Sequence, residues 1–291
     1  MAIPERAITR EQIIQRLGAT LERGEPIVAV GAGVGIIAKV AEVAKADMIV
    51  VHANSRSRNL GVPTTTHLGN PTQMVLDMYP EIDNVVDDTP IVCGIDATDG
   101  MRRRLGRLVD HYKSIGINGV SNFPTTVGAG GGGWGKARMD VGMGVDREWE
   151  LMTLARDAGL LAVGNAHVPE MAKELTASGA DVIIVRLGLT IGGDSGPREG
   201  MPGVLTKEEE VELVNASIEA VRSENKDTFV IAHGGHLGYP EATEYLYANT
   251  DVQGVLSESA IERIAVETYV QNEIARFKSP TLRGAFPPNH A

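Results

Sequence analysis

Cysteine is almost missing from this chain: one residue, Cys93, in 291. A lone thiol excludes an intramolecular disulfide and any CxxC metal site. The opening MAIPERAITREQIIQRL has no cationic region followed by an apolar core, so no signal peptide is visible. No stretch reaches the ~18 consecutive apolar residues of a membrane span. The expectation is a cytoplasmic protein, or at least one that is not secreted. Positive charge is scarce as well. A net charge of -11 argues against binding nucleic acid, whose phosphate backbone selects a basic face. It leaves room for a small anionic substrate, because a pocket can be locally basic in an acidic protein. Finally, there is no HExxH, GxSxG or Walker A sequence. Zincin, serine-hydrolase and P-loop nucleotide chemistry therefore have no support.

What is present is an alternating pattern. Eight short apolar, β-branched runs stand at 26–31, 47–52, 90–95, 117–122, 159–164, 181–186, 228–233 and 252–256. Runs of this length suit strands buried on both faces of a parallel sheet. Segments of helical period separate them, at 33–45, 70–82, 99–115, 145–157, 168–178, 206–224, 239–248 and 258–277. A further helix over 9–24 opens with Thr9 and Gln12, a capping-box pair, and Thr206 with Glu209 repeats the signal. Eight strands, eight helices and one helix to close the bottom predict an α/β fold, a single (β/α)8 TIM barrel spanning 1–291. A doubly wound sheet split over two domains is the alternative, but no linker separates two halves. Residues 125–144 (TTVGAGGGGWGKARMDVGMG) are too long and glycine-rich for a plain connector. They read as a lid carrying Trp134 and Lys136. Residues 279–291 form a C-terminal tail.

In such a barrel the C-terminal strand ends share one pocket. The first strand leads into a GxGxG turn containing Gly33, a helix N-terminus open to an anion. The second ends in His52, Ser55, Arg56 and Arg58, a loop able to fork onto a carboxylate or phosphate. Asp96, Thr98 and Asp99 follow the third: Asp96, directly at the strand end, suits a metal ligand or a general base, and one of Thr98 and Asp99 caps the next helix. Asn122 ends the fourth and can orient a carbonyl or enolate oxygen. The fifth brings Asn165 and His167, the sixth Arg186 and Thr190. Arg186 continues an apolar run, so its burial calls for a paired anion or an anionic ligand. In the seventh, His233 can act as acid, base or metal ligand, while Gly234, Gly235 and the following His236 border an anion site. Ser257 and Glu258 end the eighth. No strand end carries a lysine, so imine chemistry and a Schiff-base cofactor are not expected.

The stretches GAGVGIIAK, GVSNFPT, GMGVDREWELM, LGLTIGGDSG, AHGG and SAIER resemble the phosphoenolpyruvate hydrolase-like TIM-barrel family, in order, over about residues 9–278. That family is in turn similar to the phosphoenolpyruvate mutase and isocitrate lyase group, which handles 2-oxo acids through a Mg²⁺-bound enolate. The resemblance implies Asp96 and Asp99 as ligands of a divalent metal such as Mg²⁺, and Arg186 as a carboxylate anchor. Two departures stand out. The group's lid has a Lys-Gly-Lys-x-Cys-Gly type sequence, and the glycine loop here has no cysteine. Where relatives have Tyr-Asn-Ser-Gly and Gly-Ala-Ser-Ser, this chain has HANSRS and LSESA, so His52 and Glu258 point to a different substrate.

Together these residues predict an enzyme that breaks a C–C or C–P bond beside the carbonyl of a small anionic 2-oxo acid. Arg186, Gly234, Gly235 and Ser257 would hold the substrate, His233 or Glu258 would move the proton, and Asn122 would meet the oxyanion. The competing expectation is a non-catalytic, ligand-sensing or protein-binding barrel. The C-terminal helix, apolar at Ile261, Ile264, Val270 and Ile274, suggests a homo-oligomer.

Overall fold

The computed structural model describes residues 8–64, 68–126 and 133–280. Eight parallel strands close on themselves in sequence order, β8 pairing with β1. They are β1 (Ile27–Gly31), β2 (Met48–Val51), β3 (Ile91–Ile95), β4 (Gly119–Asn122), β5 (Leu161–Ala166), β6 (Val182–Arg186), β7 (Phe229–His233) and β8 (Gly254–Ser257). The expected (β/α)8 barrel is what forms.

The barrel has two apolar layers, because successive strand residues face opposite sides. Ala29, Val50, Val163, Ile184 and Ile231 belong to the packing inside the barrel. Val30, Ile49, Val51, Ile183, Val185 and Val230 pack outward against the helices. Helix α1 (Arg10–Glu22) keeps its Thr9–Gln12 capping box and sends Ile13 and Leu17 into the inner cluster beside Ile27 and Met48. Those two are the first residues of their strands, so α1 plugs the N-terminal mouth. Arg10 to Asp181 at 2.6 Å and Thr20 to Asp47 at 2.7 Å pin it to the residues that precede β6 and β2.

The outer ring contains α2 (Gly35–Val43), α4 (Pro71–Asp83), α5 (Leu105–Ser114), α7 (Asp146–Asp157), α8 (Pro169–Ala177), α9 (Lys207–Glu224) and α10 (Pro240–Asn249). Two short helices were not expected: α3 (Ala53–Asn59) and α6 (Gly133–Asp140). Neither carries an apolar period. The buried residues of α3 are mostly polar, Ser55, Ser57 and Arg58 beside Ala53, so its helicity is decided by what it packs against. Trp134 and Lys136 lie in α6 and not in an open loop; residues 127–132 of the expected lid lie outside the described residues, as does most of the 279–291 tail.

The helix expected from 99 starts only at Leu105, with Arg104 at its N-cap. Asp96 accepts from the N–H of Thr98, and Asp99 from that of Met101. Such side-chain turns compete with helix formation, and neither Thr98 nor Asp99 caps α5. At the C-terminal end, the expected helix 258–277 divides into a π-helical segment, Ala260–Ala265, and α11 (Val266–Lys278). None of the α11 residues is buried, although Val266, Tyr269, Val270, Ile274 and Phe277 are apolar.

Candidate functional site at the C-terminal mouth

Strand parity builds the site. Val50, Val163, Ile184, Ile231 and Leu256 face the barrel interior. Two residues further along, the same face presents His52, Asn165, Arg186, His233 and Glu258. One polar layer thus sits on the apolar ones, with Ser121 joining it from β4. Two glycines make room. A Cβ on Gly31 would lie 2.8 Å from Cγ of Glu258, and one on Gly94 would lie 3.1 Å from the His52 ring. Their glycine identity is a packing requirement of the polar layer.

Glu258 is the hub. Its Oε1 is 2.8 Å from His52 Nδ1 and 3.4 Å from an Arg58 nitrogen. Its Oε2 is 3.0 Å from His233 Nε2 and 3.6 Å from Arg186. Burial alone would push this carboxyl up, yet Arg58, His233 and His52 hold it well below the usual carboxylate range. Arg58 also bridges to Glu262 at 2.6 Å, and Ser55 donates to that same oxygen. Burial raises the Glu262 carboxyl, and its Oε1 has no partner among the described residues.

Hydrogen-bond directions fix the protons. Asn165 donates to Ser121 Oγ at 3.1 Å, which leaves the hydroxyl to donate to His52 Nε2 at 2.9 Å. His52 then gives its Nδ1–H to Glu258, a neutral imidazole, in line with a value lowered to about 4 by burial. His233 differs. Its Nδ1 is 2.8 Å from the Leu256 carbonyl, which only accepts. Nε2 would then face an acceptor oxygen of Glu258 with its own lone pair. A proton has to lie between them. Burial and Arg186 push His233 down while Glu258 pulls it up, so the proton belongs to the pair.

Arg186 completes the layer. Of its five N–H groups, only one is hydrogen-bonded among the described residues, Nη1 to Asn165 Oδ1 at 3.2 Å. Its guanidinium carbon stands 4.8 Å from the Phe123 ring centre, and His52 stacks on the same ring. The arginine is braced from behind with donors unspent. Burial pulls its guanidinium below the ordinary value, a cost that an arriving anion would relieve.

The other candidates divide. Arg56 is exposed and outside the layer, because α3 turns it away. Arg58 and Ser55 are inside but bonded to Glu262, so they support the hub and are not open to substrate. Both ends of the Asn122 amide are committed, to Glu148, the Asn165 carbonyl and the Asn165 N–H; it is not free to meet an oxyanion. Gly33 admits α3, since a Cβ there would stand 2.5 Å from Asn59. Gly234 and Gly235 take positive φ, 94° and 52°, and Cβ atoms would strike Gly188 and Glu210. His236 is held by Glu210 at 2.9 Å. Thr190 is buried and Ser257 half-buried at the rim. Ser121, Phe123 and Glu262 were missed as site residues. For Glu262 a signal existed: it lies four residues after Glu258 in SESAIER, one helical turn away.

Asp96 and Asp99 do not form a metal pair. Asp96 Oδ1 takes the N–H and hydroxyl of Thr98. Asp99 is engaged by Asn70 at 2.7 Å, Arg102 at 3.0 Å and the Met101 N–H. Among the described residues no three His, Cys, Asp or Glu side chains converge on a point that could hold a metal ion. The donors present therefore offer no all-protein cage for a divalent ion at this place; Asp96 Oδ2, outside the bonds to Thr98, could give one oxygen to an ion otherwise held by water, and no step below passes through one.

The buried histidines set an acid limit. His167, at the end of β5, is lowered to about 4 by burial and by Arg186, against about 6.5 unfolded. Above pH 6.5 both states leave it neutral. Between 6.5 and 4 the unfolded chain takes the proton first, so stability is lost as pH falls. His167→Gln removes this term. Melting temperatures of variant and wild type should converge or cross as pH drops from 6.5 to 4; a constant difference across that window would remove the assignment.

Fold and site define the chain as a parallel (β/α)8 barrel with its polar chemistry at the C-terminal mouth. It belongs to the phosphoenolpyruvate hydrolase-like family, whose model matches residues 12–279. The ToMV susceptible protein tm-1(GCR26) of Solanum lycopersicum is 34% identical over 285 residues, 97% of this chain but 37% of that protein. The chain thus spans little more than a third of this curated relative. Among solved structures, phosphonopyruvate hydrolase in complex with oxalate and Mg²⁺ has the same fold (TM-score 0.59, 19% identity, 91% of this chain, 87% of that one). So does oxaloacetate acetylhydrolase in complex with the product oxalate (TM-score 0.59, 14% identity, 96% and 91%). No helix among the described residues is long and apolar enough to cross a membrane.

Proposed function

We propose that the chain is an enzyme that breaks the C–C or C–P bond next to the carbonyl of a small anionic 2-oxo acid. One observation carries this: Arg186, with most of its N–H groups unbonded among the described residues, stands 3.6 Å from Glu258, whose same oxygen lies 3.0 Å from His233 Nε2. Arg186 takes the substrate carboxylate. Bond breaking leaves an electron pair on the carbon beside the carbonyl, and the enolate forms next to a fixed positive charge in a water-poor site. The proton held by His233 and Glu258 then passes to that carbon, while water adds to the electron-poor phosphoryl or acyl fragment, which leaves as the free acid, and the proton that water gives up returns to the pair. Arg58, Glu262, His52 and Ser121 keep Glu258 in place.

The test is pyruvate release from phosphonopyruvate, phosphoenolpyruvate and 2-oxo acids with larger 3-substituents, with Mg²⁺ or with EDTA. Release that His233→Gln reduces by about 10²–10⁴-fold, the usual range for an acid–base group, supports the reading. No release from any substrate sinks it. The relative named for viral susceptibility, and not for a reaction, favours a second reading: a barrel that binds its anion without turnover. Stabilisation by pyruvate in the absence of release would select that one.

The partner proposed for α11 is a second copy of the chain. The helix after β8 would ordinarily lie beside α2, because β8 neighbours β1. Instead α11 buries no residue, and α2 exposes Ile36, Val40 and Val43 along one face. Two complementary apolar stripes on one chain allow a reciprocal, two-fold contact. Light scattering should give a multiple of 31.0 kDa, and Ile274→Glu with Phe277→Glu should return the monomer. A wild-type monomer at micromolar concentration would overturn the contact.

A further inference from the structure

Away from the mouth layer, the loop between β3 and α5 gathers four arginines in six residues: Arg102, Arg103, Arg104 and Arg107. They line an open cavity of about 400 Å³ together with Met101 and Leu108. Arg102 is neutralised by Asp99 at 3.0 Å. The other three are exposed, and their side chains make no hydrogen bond or ion pair among the described residues. The chain has 38 acidic residues against 27 basic ones, so surplus acids are plentiful, yet none lines this cavity. The first turn of α5 contains no acidic residue either, and Arg104 occupies its N-cap. The positive end of a helix dipole thus meets three uncompensated cations around one hollow.

We propose that this cavity binds a phosphoanion: a small organic phosphate whose head is gripped by Arg103, Arg104 and Arg107. A phosphate group presents three terminal oxygens and up to two charges, which suits three planar guanidinium forks; a carboxylate offers two oxygens and one charge. Met101, which is 89% exposed, and Leu108 give the organic body an apolar wall. The volume lies within the roughly 300–1,000 Å³ of small-ligand sites. The backbone that carries the site is also braced. Arg147 donates to the carbonyls of Arg103, at 2.8 Å, and Ala97, at 2.7 Å, which holds the loop in its open shape. It is separate from the Glu258 layer and does not depend on the reaction proposed there.

Calorimetric titration of the full chain tests it, with glycerol 3-phosphate and pyrophosphate at constant ionic strength and glycerol as the uncharged control. The expected result is saturable binding of both phosphates and none of glycerol. Affinity should fall at least tenfold in Arg103→Gln/Arg107→Gln and measurably in Arg104→Gln alone, which carries the test should the double variant misfold. Lys226→Gln, an equal charge loss elsewhere, should leave it unchanged. Binding that matches chloride at equal ionic strength, survives the double variant, or falls equally in Lys226→Gln would overturn the site. So would its loss in Arg186→Gln, which would place the phosphoanion in the barrel mouth.

Discussion

Glu258→Gln should cost about 3–5 kcal/mol of stability, the usual loss when one member of a buried ion network is removed. The substitution keeps the shape and deletes the charge. Arg58 and Arg186 remain as cations inside the barrel, at 3.4 and 3.6 Å from a neutral amide. The proton shared with His233 loses its acceptor at the same time. At about 2–4 °C per kcal/mol for a chain of this class, the melting point should fall by roughly 6–20 °C. Scanning calorimetry decides it. A fall under about 1 kcal/mol would show that the hub is not what holds the polar layer together.

Arg186→Gln should show the opposite profile. Its hydrogen bond to Asn165 can be kept by glutamine, burial already disfavours its charge, and when the 3.6 Å contact to Glu258 is lost that carboxylate still has Arg58, His52 and His233. Stability should change little. Affinity for pyruvate and other 2-oxo acids should drop on the order of 10²–10³-fold, as expected when the charged partner of a buried carboxylate is truncated. Titration calorimetry on the variant and on wild type gives the ratio. Equal affinities would place the carboxylate elsewhere in the mouth and remove Arg186 from the proposed reaction.

The two variants separate support from contact, a distinction that residue types do not carry. Arg186 ends β6 and Arg58 lies in the helix that follows β2, and both suit an anionic substrate by chemistry. Only their partners tell them apart: Glu262 has already taken Arg58, while Arg186 faces the mouth with donors left. The same holds for Asn122, a plausible oxyanion partner until Glu148 is found on its amide. Asp96 and Asp99 look like a metal pair in the sequence, whereas each closes a local turn. Glu148 is a further example of a hidden acid. It sits in an amphipathic helix, and burial raises its carboxyl, but nothing in REWELM announces that its side chain points inward.

The barrel itself was legible because its cause is local and repeated. Each strand is a short apolar run, each helix has its period, and Thr9 and Thr206 open helices with side-chain oxygens that serve free N–H groups. Parity then places the last inward residue of each strand in one layer, so His52, Asn165, Arg186, His233 and Glu258 could be grouped without coordinates. Tertiary structure alone decided which of these polar groups satisfy one another. That depends on angles and distances between strands up to 206 positions apart in the chain, as for His52 and Glu258. It also decided that α3 is a helix, that α5 starts late, and that α11 buries no residue. Local propensity is nearly neutral at those places, and packing or side-chain turns tip the balance.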